Sequence, residues 1–320
     1  MNQDIFVVVE HLRGALAEIS YVMMAAGRDL ARTTGGKVYA VLLGQNVQNL
    51  ADTLAADAVL YLESPSLADF TSDGYCKALS GLIGQHQPRA VLMGHTSVGT
   101  DVAGALSVRL GLPLVTSVRH FEGDKFVSQI CGGKIMAEGE LPAPTALITL
   151  VPGGYKPESG QSAQAPLVTP VAVGALEDLR VSVRQYIEPE AGDVDISKEP
   201  LLIAVGRGIQ NQDNVVLADD LAKALGGVVC ASRPVVDQNW LPTTRLVGKS
   251  GKAVKPKLYL ALGISGAPEH AEAITGSNCI IAVNTDAAAP IFNIAKYGTT
   301  TDLFDLVPVL TEKVLQAKGG

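Results

Sequence analysis

Apolar runs alternate with amphipathic segments along the first half of the chain. Each run has the length of a buried strand, and the segments between the runs repeat their apolar positions with helical spacing. The strand-like runs are Ile5–Val9, Val38–Leu43, Ala58–Leu62 and Ala90–Met93, and the helical patterns lie near 15–33, 46–55, 69–85 and 99–110. This alternation predicts a parallel sheet covered by helices.

The pattern changes after residue 151. Segment 152–166 is rich in Pro, Gly and Ser, which predicts an exposed loop, and 179–186 alternates as a strand would. The polar, acidic segment 187–200 is the predicted connection between two domains. We therefore expect an N-terminal α/β domain at 1–190 and a C-terminal α/β domain at 191–320.

A second series of strand and helix patterns begins at Leu201. Its strand-like runs are 201–205, 258–262 and 279–283, and a helical pattern covers 213–225. A Gly or a small polar residue follows each run. In open α/β sheets ligands bind beyond the carboxyl ends of the strands, so this domain is predicted to be a Rossmann-like nucleotide holder.

Composition and charge exclude several classes of protein. With 320 residues, of which 47% are hydrophobic and 18% charged, the chain is long enough for two cores and too apolar for disorder. A net charge of −7 without a basic cluster argues against a nucleic-acid partner. Because there is no long apolar segment and no signal-peptide pattern, we expect a cytoplasmic protein that does not span a membrane.

Motifs for catalysis and metal binding are missing from the sequence. The four cysteines are isolated, so zinc, iron–sulfur and disulfide interpretations lack support. The histidines of the first domain have no nucleophile motif beside them, and neither a P-loop nor a clean G-x-G-x-x-G follows a strand. The sequence therefore predicts no bound metal and argues against hydrolase chemistry, a P-loop and a simple NAD site.

The most informative local segment is KLYLALGISGAPEH at 257–270. An apolar strand leads into a Gly-Ile-Ser-Gly turn, and Pro268 follows where a helix would begin. Free amides at such a helix start favour a phosphate or an electron-rich ring oxygen. Ser265 as a plain N-cap explains the same residues, so the pattern alone leaves ligand binding open.

Together with five further segments, this one resembles the electron transfer flavoprotein alpha family. The segments are GRGI (206–209), ASRPVVD (231–237), VGKSGK (247–252), IIAVNTDAAAPIF (280–292) and YGTTTDLFDLVPVL (297–310). The first domain resembles the family more loosely, through VVVEH (7–11) and GHTSVGTDVAGALSVRLGLPLVTSV (94–118). The resemblance implies a heterodimer in which the first domain docks on a beta subunit and the second carries FAD in extended form.

The resemblance also implies which residues surround the flavin. Arg207 and Ser232 would lie near the flavin and the pyrophosphate, and Arg233 beside the isoalloxazine ring, where its charge favours an anionic flavin. Ser250 stands where the family has Thr and would donate a hydrogen bond to flavin N5. Lys249 stands where Gln is common, so it adds either a second cation near the ring or a solvated charge.

Further positions follow from the same resemblance. His270 would lie at flavin O2, where an imidazole stabilises negative charge, and Glu269 beside it either raises the pKa of His270 or faces water. Asn284, Asp302 and Leu303 match positions at the adenosine end of FAD, although Asn and Asp are also common at turns and helix starts. The remaining predicted cofactor-binding positions are Gly248, Gly263, Ile264, Ser265 and Gly266.

The implied function is electron transfer without bond-making catalysis. Electrons would pass from flavin dehydrogenases, such as the acyl-CoA dehydrogenases of fatty acid β-oxidation, to a quinone reductase or another acceptor. One alternative is an electron-bifurcating heterodimer that oxidises NADH with a second flavin in the beta subunit. Another is a non-redox nucleotide-binding regulator, because the fold alone does not determine function.

Overall fold

The chain folds into two compact units, Met1–Tyr186 and Ile187–Gly320. A computed structural model of the chain describes residues 2–131, 133, 135–174, 176, 178–186 and 194–318. Each unit has its own sheet with parallel strands and its own buried apolar clusters. The predicted α/β class is confirmed.

The first unit contains a large mixed sheet. Its strands are Ile5–Val8 (β1), His11–Leu12 (β2), Ala15–Leu16 (β3), Val38–Gly44 (β4), Ala58–Glu63 (β5), Ala90–Gly94 (β6), Leu114–Glu122 (β7), Lys125–Ile130 (β8), Ile135–Glu140 (β9), Ala146–Leu150 (β10) and Leu167–Pro170 (β11). Its helices are Glu18–Thr34 (α1), Ser72–His86 (α2) and Ser97–Leu110 (α3). Nine of the described strands form one sheet in the order β11-β5-β4-β1-β6-β10-β7-β8-β9, and β2 pairs with β3 in a separate hairpin.

Both faces of the central strands are buried. In β1, Ile5 and Val7 belong to one apolar cluster, whereas Phe6 and Val8 belong to another on the opposite face. A strand covered on both faces has a continuous apolar sequence, which is why the periodicity of the chain predicts these strands correctly. Strands β7, β8 and β9 pair antiparallel, and their mixed polar sequence did not predict them.

The predicted strand at 179–186 is wrong. This segment forms no strand in the described structure, and side chains of the first unit hold it instead. The amide of Arg180 donates to the Asp73 carboxylate at 2.9 Å, and the Tyr186 hydroxyl donates to Asp69 at 2.8 Å. Alternation in sequence supplies one face for burial, but a strand also needs a neighbouring strand edge with which to pair.

The second unit contains a parallel sheet. Its strands are Leu201–Val205 (β12), Val228–Ala231 (β13), Leu258–Leu262 (β14), Ile280–Val283 (β15) and Tyr297–Thr299 (β16), and its helices are Val215–Leu225 (α4), Arg233–Asp237 (α5), Pro268–Ala271 (α6) and Leu303–Lys318 (α7). The strand order is β13-β12-β14-β15-β16, with every pair parallel. After β12 the chain first adds β13 on one side of it and then adds β14 on the other side. The topological switch point therefore lies between β12 and β14.

Part of the predicted connection 187–200 belongs to the second unit. Residues 187–193 lie outside the described residues. Ile196 is fully buried in an apolar cluster of this unit, and the Asp195 carboxylate accepts a hydrogen bond from Lys252 Nζ at 2.7 Å. The end of the segment is therefore folded structure rather than a connection.

No helix in the described part of the chain is both long and apolar enough to cross a membrane. Among the same residues, no group of three or more His, Cys, Asp or Glu side chains is arranged to hold a metal ion. The expected cytoplasmic location stays a prediction.

Candidate functional site

A row of turns lies along one edge of the second sheet. The turns begin at Gly206 after β12, Ser232 after β13, Gly263 after β14, Asn284 after β15 and Thr300 after β16. Because every strand pair is parallel, all of these turns lie at the same edge. Strands lie about 4.8 Å apart, so a row across five strands extends roughly 19 Å. The edge is long enough for an extended dinucleotide.

The turns after β12 and β14 cross each other without intervening side chains. A Cβ on Gly206 would run into the carbonyl of Gly263, and a Cβ on Gly208 would lie 2.6 Å from the Cα of Gly263. The amide of Gly208 donates to the carbonyl of Gly263 at 3.1 Å. The two turns therefore pack backbone against backbone at the switch point, the place where nucleotide phosphates bind in open α/β sheets.

The Gly-Ile-Ser-Gly turn is fixed by the segment that follows β15. The carbonyl of Ile264 accepts a hydrogen bond from Asn284 Nδ2 at 2.9 Å, and the carbonyl of Ser265 accepts one from the amide of Ile291 at 2.9 Å. Gly266 has φ +85°, and a Cβ there would run into the backbone of Ile291. The N-cap of α6 is Ala267, so the interpretation of Ser265 as a plain N-cap is wrong.

A cation and a hydroxyl group meet at the end of β13. The amide of Val247 donates to the carbonyl of Ala231 at 2.9 Å, which holds the 248–250 turn beside the start of α5. Arg233 Nη1 donates to Ser250 Oγ at 3.1 Å, and the Arg233 side chain is 62% exposed. Arg233 and Ser250, which the family resemblance places at the same ring of the cofactor, thus form one surface.

Three neighbours complete this surface. Arg233 Nε lies 3.3 Å from the Asp237 carboxylate, a partner that was not predicted although its i,i+4 spacing on a helix is a usable signal. The backbone amide of Lys249 donates to the carbonyl of Glu269 at 2.9 Å, and both side chains are exposed. Asp237 lowers the net positive charge that Arg233 can present to a ligand.

His270 is buried within the protein. Its Nδ1 donates to the carbonyl of Val247 at 3.1 Å, and its Nε2 lies 2.9 Å from the Tyr259 hydroxyl. A carbonyl can only accept, so Nδ1 carries the proton and Nε2 accepts from Tyr259. Burial lowers the pKa of His270 to about 4, which keeps the ring neutral at neutral pH. Both ring nitrogens therefore have partners inside the second unit. The predicted contact of His270 with the flavin stays a prediction.

A cleft of about 190 Å³ lies at the other end of the row. The predicted residues Gly263, Asn284, Asp302 and Leu303 line it. Asp302 Oδ1 accepts a hydrogen bond from the Phe304 amide at 2.9 Å, so this carboxylate caps α7. The sequence did not predict the other lining residues, which are Gly208, Gln210, Val283, Thr285, Thr301 and Phe304.

Arg207 lies between these two ends. It is exposed on the turn after β12, and its guanidinium has no hydrogen-bond or ion-pair partner among the described residues. An unpaired guanidinium beside bare backbone suits an anionic phosphate. The described edge thus offers an Arg–Ser pair at one end, an exposed cation on the neighbouring turn, and a cleft with a carboxylate toward the other end.

Comparison with known proteins identifies the family. The electron transfer flavoprotein domain matches residues 5–175, and the electron transfer flavoprotein FAD-binding domain matches residues 195–275. The electron transfer flavoprotein subunit alpha of Bacillus subtilis is 34% identical over 99% of this chain and 98% of its own length. The chain belongs to the electron transfer flavoprotein alpha-subunit family.

Other relatives carry different names. The acryloyl-CoA reductase electron transfer subunit beta of Anaerotignum propionicum is 34% identical over 99% of this chain and 96% of its own length. Protein FixB of Azotobacter vinelandii is 32% identical over 97% of this chain and 90% of its own length. As a member of the family the chain is an electron carrier that pairs with a beta subunit, and FAD is its cofactor.

Proposed function

We propose that FAD lies in extended form along the turns of the second unit and that the chain passes electrons from a flavin dehydrogenase to an acceptor. The observation that carries this proposal is the crossing of Gly206 and Gly208 over Gly263, where added side chains would force the two turns apart. FAD, when bound, supplies the capacity to accept and release electrons one at a time. The protein binds and orients it.

Each part of the row has its own task in this proposal. Arg207 and the Gly263–Gly266 turn hold the pyrophosphate, because they combine an unpaired cation with bare backbone. Ser232, Arg233 and the 248–250 turn hold the isoalloxazine ring, with the Ser250 hydroxyl as a donor. The cleft that contains Asn284, Asp302 and Leu303 holds the adenosine, whose ribose hydroxyls can donate to a carboxylate.

His270 has an indirect task. Its hydrogen bonds join the buried Tyr259 of β14 to the carbonyl of Val247, which directly precedes the Gly248–Ser250 turn. We therefore treat His270 as a positioning residue for Ser250. Lys249 within this turn and Glu269 beside it are both exposed, and this exposure supports the solvated-charge interpretation of Lys249.

The partners follow from the family and its members. The first domain, 1–190, docks on the beta subunit, and the second, 191–320, presents FAD. The name of the Anaerotignum propionicum relative supports a redox partner that acts on a CoA thioester, such as an acyl-CoA dehydrogenase. The acceptor is a quinone reductase or another redox protein.

Co-expression with the beta subunit tests the proposal. We expect a yellow heterodimer that an acyl-CoA dehydrogenase and its substrate reduce under anaerobic conditions, with the flavin absorbance as the readout. One flavin per heterodimer supports simple electron transfer, whereas two flavins and reduction by NADH support bifurcation. A colourless heterodimer that binds AMP but no FAD would favour the regulator and contradict the proposal.

A further inference from the structure

Gln210 occupies an unusual backbone conformation in the cleft of the second unit. Its φ is 71° and its ψ is −45°, a region in which most residues other than glycine are strained. The amide of Asn211 donates to the carbonyl of Ile209 at 2.9 Å, so Gln210 is the central residue of a three-residue γ-turn.

The surrounding structure holds this turn in place. The carbonyl of Ile209 accepts a second hydrogen bond from Asn214 Nδ2 at 2.9 Å, and the Gln210 amide donates to the carbonyl of Arg207 at 3.0 Å. Ile209 itself is fully buried. A strained conformation fixed by several contacts at a ligand-sized cleft is a reason to look for a function of the residue that bears it.

The Gln210 side chain is available to a ligand. The residue is exposed and lines the cleft, and its carboxamide has no hydrogen-bond partner among the described residues. Nearby, Val283, Leu303 and Phe304 contribute apolar surface to the same cleft. A carboxamide pairs with the N6 and N7 edge of adenine by donating one hydrogen bond and accepting another.

We propose that Gln210 is a specificity-determining residue that binds the adenine of FAD through its carboxamide. The strained turn presents this side chain at the cleft. The inference rests on the proposed function, because it takes the cleft as the adenosine end of the FAD site. It adds a residue that the sequence motifs did not predict.

Flavin binding by the heterodimer tests this inference. The co-expressed heterodimer is stripped of FAD and titrated with FAD, with FMN, and with an FAD analogue that carries hypoxanthine in place of adenine. We expect Gln210→Gly and Gln210→Ala to bind FAD about tenfold more weakly than the parent, the size of one good carboxamide–purine contact. FMN has no adenine, so its binding should not change.

Two comparisons separate the effect of the Gln210 carboxamide from the effect of the strained backbone. Gln210→Gly removes the carboxamide but adopts positive φ without strain, so its melting temperature should equal or exceed that of the parent. Gln212→Ala removes the same side chain two positions away, outside the cleft lining, and should bind FAD as the parent does. The parent should also bind the hypoxanthine analogue about tenfold more weakly than FAD, whereas both Gln210 variants should bind the two alike.

The outcomes distinguish this inference from the proposed function. Parent-like FAD affinity in Gln210→Gly, or a parent that binds the hypoxanthine analogue as tightly as FAD, overturns the role of Gln210 alone. A parent heterodimer that binds no FAD overturns the proposed function and this inference with it.

Discussion

Both sheets of this chain have a topological switch point, where the connections that follow two neighbouring parallel strands run to opposite sides. Different residues occupy the two switch points. In the first unit, Glu10 follows β1, and its carboxylate accepts a hydrogen bond from Thr96 Oγ1 at 2.7 Å. Thr96 in turn caps α3 by accepting from the amide of Gly99 at 3.0 Å. In the second unit, Gly206 and Gly263 leave the corresponding position free of side chains.

On the proposed function, this difference explains why two similar sheets have different tasks. Where an anionic ligand would approach the start of α3, the first unit already has the carboxylate of Glu10, and burial raises the pKa of that group. The second unit has bare backbone and the exposed Arg207. On the proposed function, the side chains at the switch point, rather than the fold, account for FAD binding by the second unit.

The largest expected effect comes from filling the bare switch point. In Gly206→Ala the new methyl group would run into the carbonyl of Gly263, so the crossing turns must move apart. We expect loss of FAD and a decrease of about 3 kcal/mol in the free energy of unfolding, the upper end for overpacking. Flavin stoichiometry and urea unfolding measure both.

Gly104→Ala in α3 of the first unit is the matched control. A Cβ there meets no atom within 4 Å, and Ala is the better helix former. This variant should keep its FAD and its stability. If Gly206→Ala retains full flavin content, the bare crossing is not what makes the second unit the FAD site.

The second effect is a pH dependence of stability that differs between the units. Burial lowers the pKa of His270 from 6.5 to about 4, so the unfolded chain binds the proton more readily. The contribution of His270 to the free energy of unfolding is fully present above pH 6.5 and decreases as the pH falls toward 4. The decrease amounts to roughly 3 kcal/mol at most. Glu10, with its raised pKa, has the opposite sign and loses its contribution as the pH rises.

Urea unfolding between pH 4 and 8 measures this dependence. The single tryptophan, Trp240, lies in the second unit and reports its unfolding by fluorescence. His270→Gln cannot titrate, so its stability should vary less over this range. A wild-type chain whose second unit is equally stable at pH 4 and 7 would contradict the buried, neutral state of His270.

A smaller effect concerns the charge at the end of β13. Arg233→Ala should lower the midpoint potential of FAD, because the cation stabilises negative charge on the reduced ring. A full charge at 4 Å contributes about 4 kcal/mol at an effective dielectric of 20, and exposure and Asp237 reduce this to about 1 kcal/mol, or roughly 40 mV for one electron. Anaerobic spectroelectrochemistry measures the potential.

Conservative variants sharpen this result. Arg233→Lys retains the positive charge and should lower the midpoint potential less than Arg233→Ala does. Ser250→Ala should also lower the potential less than Arg233→Ala, because a hydroxyl carries no net charge. Lys249→Gln should leave it unchanged if the lysine is a solvated charge. If Arg233→Ala keeps its full flavin content and its midpoint potential is unchanged, Arg233 does not lie beside the flavin ring.

The smallest effect is expected at the filled switch point. Glu10→Ala removes the carboxylate that accepts from Thr96, and should lower the free energy of unfolding of the first unit by about 1 kcal/mol. Glu10→Gln retains an acceptor and should cost less. Neither variant should alter FAD affinity, and a loss of FAD in either would show that the first unit takes part in cofactor binding.

Much of the architecture was predictable from the sequence. Strands such as β1 and β14 are buried, so they stand out as continuous apolar runs. Gly206, Gly263 and Gly266 mark places where a Cβ would meet backbone, and the order of these turns along a parallel sheet brings them to one edge. These features depend on local pattern and on topology, which the sequence carries directly.

Only the tertiary structure decided how the side chains at that edge are used. The partners of His270 are Tyr259 and Val247, which lie 11 and 23 positions away along the chain. The Val247 carbonyl fixes the position of the proton, and burial of the imidazole lowers its pKa. Gln210 becomes part of a cleft because α7 begins nearby in space, 93 residues later in the sequence. Segment 179–186 has a strand pattern but no strand partner. Such outcomes depend on which distant residues come together and exclude water, and no local periodicity encodes that information.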